Sequence, residues 1–245
     1  MMDSKAERAR TARFDRLDAL RGFAIVWMAC FHFAFDLDHY GFIQQDFHRD
    51  PVWLIQRTCI VSLFLFCAGF GQAVAVESHR GWPRFWKRWS QVALCALLVT
   101  AGSWFMFPAS YISFGVLHGI AVMLLVTRVS AGWGLWLLPL GALAIAMPQF
   151  VHSPLFDARL TNWVGLVAHK PVTEDWVPVL PWLGVMWWGL ACGRWILRTR
   201  PGWLSGSLPS MLGPLATLGR WSLSFYMLHQ PVLIGVLMAV IAWRR

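Results

Sequence analysis

Long apolar stretches recur along the chain and are separated by short polar segments. Seven of them reach the length of about 20 residues that an α-helix needs to cross a bilayer. Within each stretch the apolar positions are continuous and do not alternate with polar ones, which disfavours a β-barrel. The pattern predicts an all-α, polytopic transmembrane helical bundle of about seven spans, at residues 18–38, 55–76, 88–107, 112–128, 133–151, 178–197 and 221–242.

The composition is typical of a membrane domain and does not indicate an additional soluble domain. Of the 245 residues, 58% are hydrophobic and 13% are charged, whereas soluble domains carry about 25% charged residues. Residues 1–16 form a basic segment, and residues 17–245 are predicted to form a single transmembrane domain. The first apolar run is too long for a signal-peptide core, so we expect a retained helix.

The net charge of +9 does not indicate nucleic-acid binding, because Lys and Arg lie mainly in the short segments between apolar runs. With the N-terminus in the cytoplasm, most of these cations fall on the cytoplasmic side, as the positive-inside bias requires. The sequence therefore predicts a multi-pass membrane protein with a cytoplasmic N-terminus. Arg244 and Arg245 disagree, because seven spans place the C-terminus outside.

The stretch FHFAFDLDH, residues 31–39, places ionisable groups at the end of the first span. His32, Asp36 and His39 recur at a spacing of four and three residues, so they share one helix face. Asp18 and Arg21 lie near the same stripe, about 20 Å away at the other end. A carboxylate beside an imidazole is a usual way to make a general base, and ionisable residues within a membrane are functional candidates.

Two further ionisable groups lie where lipid is expected. His118, in SFGVLHGIA, comes early in the fourth span at a depth like that of His32. Arg57 lies near the outer start of the second span, where it either extends its head group to the interface or pairs with Asp36.

Polar residues also enter the last and the sixth predicted spans. Tyr226 and His229 are three apart in the last span, where a polar contact between helices is as good an interpretation as a functional role. Asp175 precedes the sixth span on the outer side, and by itself it is best interpreted as an acid at a helix N-terminus.

No sequence pattern indicates a bound metal, a phosphate-binding glycine loop or a permanently bound cofactor. All five cysteines lie inside apolar runs and none forms a CxxC pair, which predicts buried thiols without disulfides or zinc. They are Cys30, Cys59, Cys67, Cys95 and Cys192.

Five stretches occur in an order that resembles a known family. They are RLDALRGFAIVWMACFHFAFDL, an arginine followed by LFLFCAGFG, FGVLHGIA, DWVPVLPWLGVMWWGLACGR and LGRWSLSFYMLHQPVL. Together they resemble the catalytic domain family of heparan-alpha-glucosaminide N-acetyltransferase, in particular its short bacterial members. The resemblance runs from Arg16 to Leu233.

The resemblance implies a membrane acyltransferase, and the likeness to bacterial members implies the bacterial inner membrane as its location. The lysosomal enzyme passes an acetyl group from cytosolic acetyl-CoA to an amino sugar on the far side, and a histidine near the outer face takes part. By this analogy Asp18 and Arg21 meet the nucleotide end of CoA, and His32 lies where the acyl group arrives. The animal enzymes have an Asn near the level of His32 and their catalytic His further along the first outer loop, where His39 and His48 are the positions that compare with it. The spacing does not decide between them, so the base is left open between His32, His39 and His118.

The leading hypothesis is therefore an enzyme that moves an acyl group from acyl-CoA, its co-substrate, to an amine or hydroxyl acceptor, which is a sugar or another envelope component. In it His32 is the base, Asp36 orients His32, and Tyr226 and His229 donate to the oxyanion. His118 and Asp175 line the acceptor side, and Arg57 belongs to the substrate site. Direct transfer and an acetyl-histidine intermediate remain open.

Two alternatives come from other functional classes. A transporter would also use intramembrane His, Asp and Arg, although the paired repeats typical of transporters are not visible. A non-catalytic partner that keeps the scaffold is the third hypothesis. Gly115–Gly119 and Gly189–Gly193 have GxxxG spacing, which permits close helix packing and a homodimer.

Overall fold

The computed structural model describes residues 14–243, which form α-helices, short 3₁₀ turns and loops. Most of the basic segment 1–16, and the pair Arg244 and Arg245, lie outside the described residues. The helices are α1 (Asp15–His39), α2 (Pro51–Glu77), α3 (Trp82–Met106), α4 (Val116–Val129), α5 (Leu137–Phe150), α6 (Val179–Thr199), α7 (Gly202–Ser205), α8 (Gly213–Arg220) and α9 (Ser222–Trp243). This architecture confirms the predicted all-α class.

A helix occupies each of the seven apolar stretches, with some shifted ends. Helix α3 begins at Trp82, six residues before the predicted span, because Gly81 and Pro83 form its start and its basic first turns remain helical. Pro is well tolerated in a first helical turn, where its missing N–H leaves no bond unmade. Helix α2 likewise begins at Pro51.

Among the described residues, five stretches are long and apolar enough to cross a membrane. They are Asp15–His39, Pro51–Glu77, Trp82–Met106, Val116–Phe150 and Ser222–Trp243. The sixth predicted span forms α6 but is not among the five, because its tryptophans, glycines and Arg194 lower its hydropathy. The fourth and fifth predicted spans both overlap the single stretch Val116–Phe150.

The two halves of that stretch run in opposite directions. Gly119 contacts Val177 and Ser130 bonds to Trp187, so α4 runs parallel to α6. Gly141 contacts Gly184 and the Trp188 side chain bonds to the Leu138 carbonyl, so α5 runs antiparallel to α6. The reversal occurs in the 3₁₀ segment Ser130–Trp136, where Gly134 has a φ of 62°. The predicted turn between the fourth and fifth spans is therefore present.

The chain forms two compact units. The terminal unit contains described residues 14–64 and 204–243, and the central unit contains residues 65–203. The prediction of one domain over residues 17–245 stays a prediction.

In the terminal unit, α1 packs against α8 and α9. Two glycines let α1 and α8 touch at the backbone: a Cβ added at Gly22 would overlap the carbonyl of Leu215, and one at Gly219 would overlap the carbonyl of Asp18. This approach fixes the register of α8 on α1.

In the central unit, glycines bring the second half of α2 against α6. Gly189 lies on the carbonyl of Phe66, and Gly193 lies against Ala73. The predicted close packing at GxxxG spacings is confirmed for this pair. Because these faces are filled within the chain, they no longer support the homodimer, which stays a prediction.

All five cysteines are free thiols. The expectation that they are all buried is wrong, because Cys30 and Cys59 are exposed and only Cys67 is fully buried. Cys30 and Cys59 are exposed on α1 and α2, where a lipid environment suits a thiol because a free Cys behaves as a small hydrophobe.

Candidate functional site

Two histidines from different helices meet inside the terminal unit. The ring of His32 on α1 lies edge to face with the ring of His229 on α9, with 5.2 Å between the ring centres. His229 is buried, with 8% of its surface exposed, and His32 is half-buried. The sequence singled out both residues but assigned them to different roles, and the fold brings them together.

A backbone hydrogen bond fixes the orientation of the His229 ring. Its Nδ1 atom lies 2.7 Å from the carbonyl oxygen of Tyr226, one turn earlier on α9. Because a carbonyl only accepts, Nδ1 carries the proton and donates it, and Nε2 of the neutral ring is the proton acceptor. Nε2 is buried and makes no hydrogen bond to any residue in 14–243. This arrangement suits a general base, so it revises the prediction that His229 donates to an oxyanion.

Asp36 bonds to α9 and not to His32. The Nε2 atom of Gln230 donates to Asp36 Oδ1 over 2.8 Å, and Asp36 is 4% exposed. Within the described chain, no hydrogen bond joins His32 to Asp36, so the hypothesis that Asp36 orients His32 is not supported by the geometry. A spacing of four places two side chains on one face, but Asp36 turns toward Gln230 on the neighbouring helix.

An aromatic cluster beside His32 joins α1, the loop after it and the first turn of α2. Phe47 is 4% exposed and stacks on Trp53, with 4.1 Å between ring centres. The ring of Phe31 contacts Phe47, Trp53 and His32. The cluster packs the loop and the beginning of α2 against Phe31, and it reaches the histidine pair through Phe31 alone.

Other predicted residues of the terminal unit lie outside the pair. His39 is exposed and its ring contacts Tyr40. Arg57 is exposed, and no ion pair with Asp36 occurs among residues 14–243, which agrees with an extended side chain. Tyr226 is half-buried and contributes its carbonyl to His229.

At the beginning of α1, two acids hold two arginines. Asp18 is buried and pairs with Arg21 over 3.1 Å and with Arg220 over 4.0 Å, and Asp15 pairs with Arg220 over 2.7 Å. Arg220 comes from α8, which the glycine contact at Gly219 holds against α1. The guanidinium groups are partly exposed and Asp18 lies beneath them, so Asp18 positions the cations.

In the central unit, His118 stabilises the beginning of its own helix. Its Nδ1 atom accepts from the backbone N–H of Gly115 over 3.2 Å, and its Nε2 atom lies 3.1 Å from the hydroxyl of Thr100. That hydroxyl donates its proton to the carbonyl of Ile112, so Nε2 is the donor in the His118 pair. Both ring nitrogens of His118 are therefore engaged in hydrogen bonds within the protein.

Asp175 also contacts the beginning of α4. Its Oδ2 atom accepts from the backbone N–H of Val116 over 2.7 Å, and the preceding Glu174 bonds to Ser110. The sequence predicted an acid at a helix N-terminus, but the helix is α4 and not α6. These bonds hold the long loop between α5 and α6 against the segment that precedes α4.

A histidine–aspartate pair joins two positions of the same loop. His169 Nδ1 lies 2.9 Å from Asp157 Oδ2, and this side-chain hydrogen bond lowers the pKa of Asp157. Within the described chain, no group of three or more His, Cys, Asp and Glu side chains is arranged to hold a metal.

A family model described as "Heparan-alpha-glucosaminide N-acetyltransferase, catalytic" matches residues 13–231. The chain belongs to this family. The match includes His32, His229, Asp36 and Gln230. It also includes the arginine cluster at the beginning of α1, which consists of Asp15, Asp18, Arg21 and Arg220. No curated protein and no solved structure matched the chain.

Membership in the N-acetyltransferase family, together with the apolar helices, indicates a membrane acetyltransferase.

Two residues of the candidate site were not selected from the sequence. Gln230 follows His229 directly and precedes Pro231, and Arg220 precedes α9 in LGRW. The adjacency of Gln230 to His229 was the only local signal, because both contacts are tertiary.

Proposed function

We propose that the protein transfers an acetyl group from acyl-CoA to an amine or hydroxyl acceptor, with His32 and His229 at the reaction centre. The observation that carries the proposal is the histidine pair, in which the Tyr226 carbonyl sets the tautomer of His229. Family membership supplies the reaction class, and the donor, the acceptor and the residue roles are our assignments.

In the proposed step, His229 acts as the general base. Its Nε2 atom takes a proton from the acceptor N–H or O–H, and the acceptor attacks the carbonyl carbon of the thioester. The bond between that carbon and sulfur breaks, and the CoA thiolate leaves with the proton from the imidazolium. The acceptor keeps the acetyl group, so atoms and charge balance.

His32 is assigned to the reacting carbonyl. Its ring contacts His229 and makes no hydrogen bond to any residue among 14–243, so one ring N–H is able to meet the oxyanion. A two-step route, in which a His32 nitrogen first takes the acetyl group, uses the same pair. The Asp36–Gln230 pair holds α1 and α9 in the register that keeps the two rings in contact.

Arg21 and Arg220 are assigned to the phosphates of CoA. Guanidinium groups recognise phosphate through paired, charge-assisted hydrogen bonds. Asp18 and Asp15 hold both guanidinium groups in place, and the helix rise separates Arg21 from His32 by about 16 Å. An extended pantetheine arm suits such a separation.

The acceptor is proposed to be a sugar or envelope component outside a bacterial inner membrane, with the N-terminus of the chain in the cytoplasm. His118 and Asp175 are assigned to holding the beginning of α4, because their ring nitrogens and carboxylate bond to that segment. This assignment withdraws His118 from the candidate bases.

Equilibrium binding of labelled acetyl-CoA to the purified full-length protein in detergent tests the donor. We expect Arg21→Gln to weaken binding at least tenfold, because a charged hydrogen bond is lost. His229→Gln should leave the affinity within about twofold, and Arg49→Gln, an exposed cation of the loop after α1, is the matched control. The absence of acetyl-CoA binding to a monodisperse parent protein would contradict the proposal and favour a transporter or a scaffold.

A further inference from the structure

Among the residues that the structure describes, one group of cations in the central unit forms no ion pair with an acid. Arg80 precedes α3, Arg84 and Lys87 are exposed on its first turns, and Arg128 ends α4 with a hydrogen bond to the Arg80 carbonyl. We call these four residues the basic rim. Within residues 14–243, no ion pair joins any member of the basic rim to Asp or Glu.

The other arginine clusters are neutralised by acids. Glu77 pairs with Arg194 and Arg198, each over 2.9 Å, and therefore does not serve the basic rim. In the rim itself, Arg80 Nε and Arg128 Nη1 are buried and make no hydrogen bond to a described residue. A buried donor without an acceptor is costly, and an anion beside Arg80 and Arg128 would offset that cost.

Two exposed tryptophans lie between members of the basic rim along the first turns of α3. Trp82 and Trp86 are 46% and 47% exposed, and the Arg128 guanidinium lies 5.4 Å from the centre of the Trp82 ring. Tryptophan is enriched at the level of lipid head groups, because its ring is apolar and its N–H is polar. The rim therefore lies where a head group would lie, at the junction between the candidate spans α2 and α3.

An exposed apolar stripe continues from the rim along α3. Leu94 and Leu98 are 58% and 53% exposed, and they lie seven and eleven residues after Lys87 on the same helix face. A phosphate near Lys87 would direct attached acyl chains along these leucines.

We propose that the basic rim is a binding site for an anionic glycerophospholipid, with its phosphate at Arg84 and Lys87 and its chains along Leu94 and Leu98. The charge of the rim selects anionic over zwitterionic lipids, and the apolar stripe selects a lipid over a soluble phosphate. The proposal does not depend on the acetyltransferase assignment, because it uses none of the residues placed at the reaction centre.

Native mass spectrometry of the full-length protein, titrated with phosphatidylglycerol or phosphatidylcholine, tests this site. We expect phosphatidylglycerol to bind more tightly, and Arg84→Gln with Lys87→Gln to weaken it about 25-fold, at about fivefold for each cation near a membrane surface. Both side chains are exposed, so the double variant should fold. Arg49→Gln with Lys170→Gln removes the same charge from exposed loop positions and should change the affinity less than twofold.

Three outcomes would overturn the proposal. Equal binding of the two lipids would show that the rim does not select charge, and an equal loss in the control would show a general effect of net charge. Displacement of the lipid by inorganic phosphate or acetyl-CoA at micromolar concentration would assign the rim to a soluble anion. Acetyl-CoA binding by the rim variant, measured in parallel, separates this result from a failure of the proposed function.

Discussion

At the scale of single residues, the two histidines of the pair are held differently. The Tyr226 carbonyl fixes His229 in one tautomer, whereas His32 is positioned by ring contacts alone. A general base needs a fixed proton-accepting atom, which is why we propose His229 for this role. The sequence identified both residues as intramembrane candidates, but it could not show which ring nitrogen is oriented.

The Asp36–Gln230 hydrogen bond gives a stability prediction. Gln230→Leu should lower the free energy of unfolding by about 1–3 kcal/mol, because it leaves a buried carboxyl group without its donor. Asp36→Asn keeps an acceptor for Gln230 and should cost less. Reversible unfolding in mixed detergent and denaturing surfactant measures the difference.

Ser224→Ala is the matched control, since Ser224 is an exposed polar residue of the same helix. Its free energy of unfolding should stay within about 0.5 kcal/mol of the parent. If Gln230→Leu were as stable as Ser224→Ala, the bond between α1 and α9 would not contribute to the fold.

The sequence identified individual candidate residues, but it did not predict their contact partners. His32, His229 and Asp18 stood out because ionisable groups are rare in apolar runs. Gln230 and Arg220 acquire their importance from α1, more than 180 residues away in the chain. Such contacts depend on how helices pack, which the spacing within one helix does not determine.

At the scale of elements, the glycine contact between α1 and α8 holds Arg220 beside the acids of the arginine cluster. Gly219→Ala should lower the free energy of unfolding by about 1–3 kcal/mol, because the added methyl overlaps the Asp18 carbonyl and separates the helices. The same unfolding assay measures this loss.

Gly235→Ala supplies a matched comparison in the same unit. A Cβ at Gly235 meets no atom within 4 Å, so the substitution should be neutral or stabilising by about 0.4–1 kcal/mol. Equal effects of the two substitutions would contradict the close approach of α1 and α8.

The start of α4 gives a second prediction at this scale. His118→Ala removes a hydrogen-bond acceptor from Gly115 and a donor to Thr100, so it should cost about 1 kcal/mol, as other helix caps do. His152→Ala, at an exposed position of the same unit, should be neutral. A shift of the thermal unfolding midpoint in detergent that is confined to His118→Ala would support the capping role, and equal midpoints would contradict it.

At the scale of the whole molecule, the opposite directions of α4 and α5 bear on the topology. A single helix of 35 residues would extend about 50 Å, which exceeds the hydrocarbon core of about 30 Å. The apolar pattern predicted two spans here because Gly132 and Gly134 interrupt it, and the structure reverses the chain at that point. The hydropathy pattern predicted where the helices lie. It did not predict the division of the chain into two units, because that division depends on how the helices pack.

Cysteine labelling in intact cells tests the proposed topology. With the N-terminus inside and two passes between Val116 and Phe150, a cysteine at Lys170 should react with a membrane-impermeant maleimide. A cysteine at Arg84 in the same cysteine-free background should react only after the membrane is permeabilised. Protection of the Lys170 position in intact cells would contradict two passes or the orientation.

The most direct test of the central claim is the turnover of acetyl-CoA by the parent protein and three histidine variants. The rate of acetyl transfer to a glucosamine acceptor, or to whichever amine or hydroxyl acceptor the parent uses, is measured at saturating acetyl-CoA. We predict that His229→Gln lowers kcat by about 10²–10⁴-fold and that His32→Gln also lowers it strongly, while acetyl-CoA affinity is kept. His118→Gln should stay within a few fold of the parent. A variant without His229 that retains its kcat, beside a His118 variant that loses it, would contradict the assignment of the reaction centre to the His32–His229 pair.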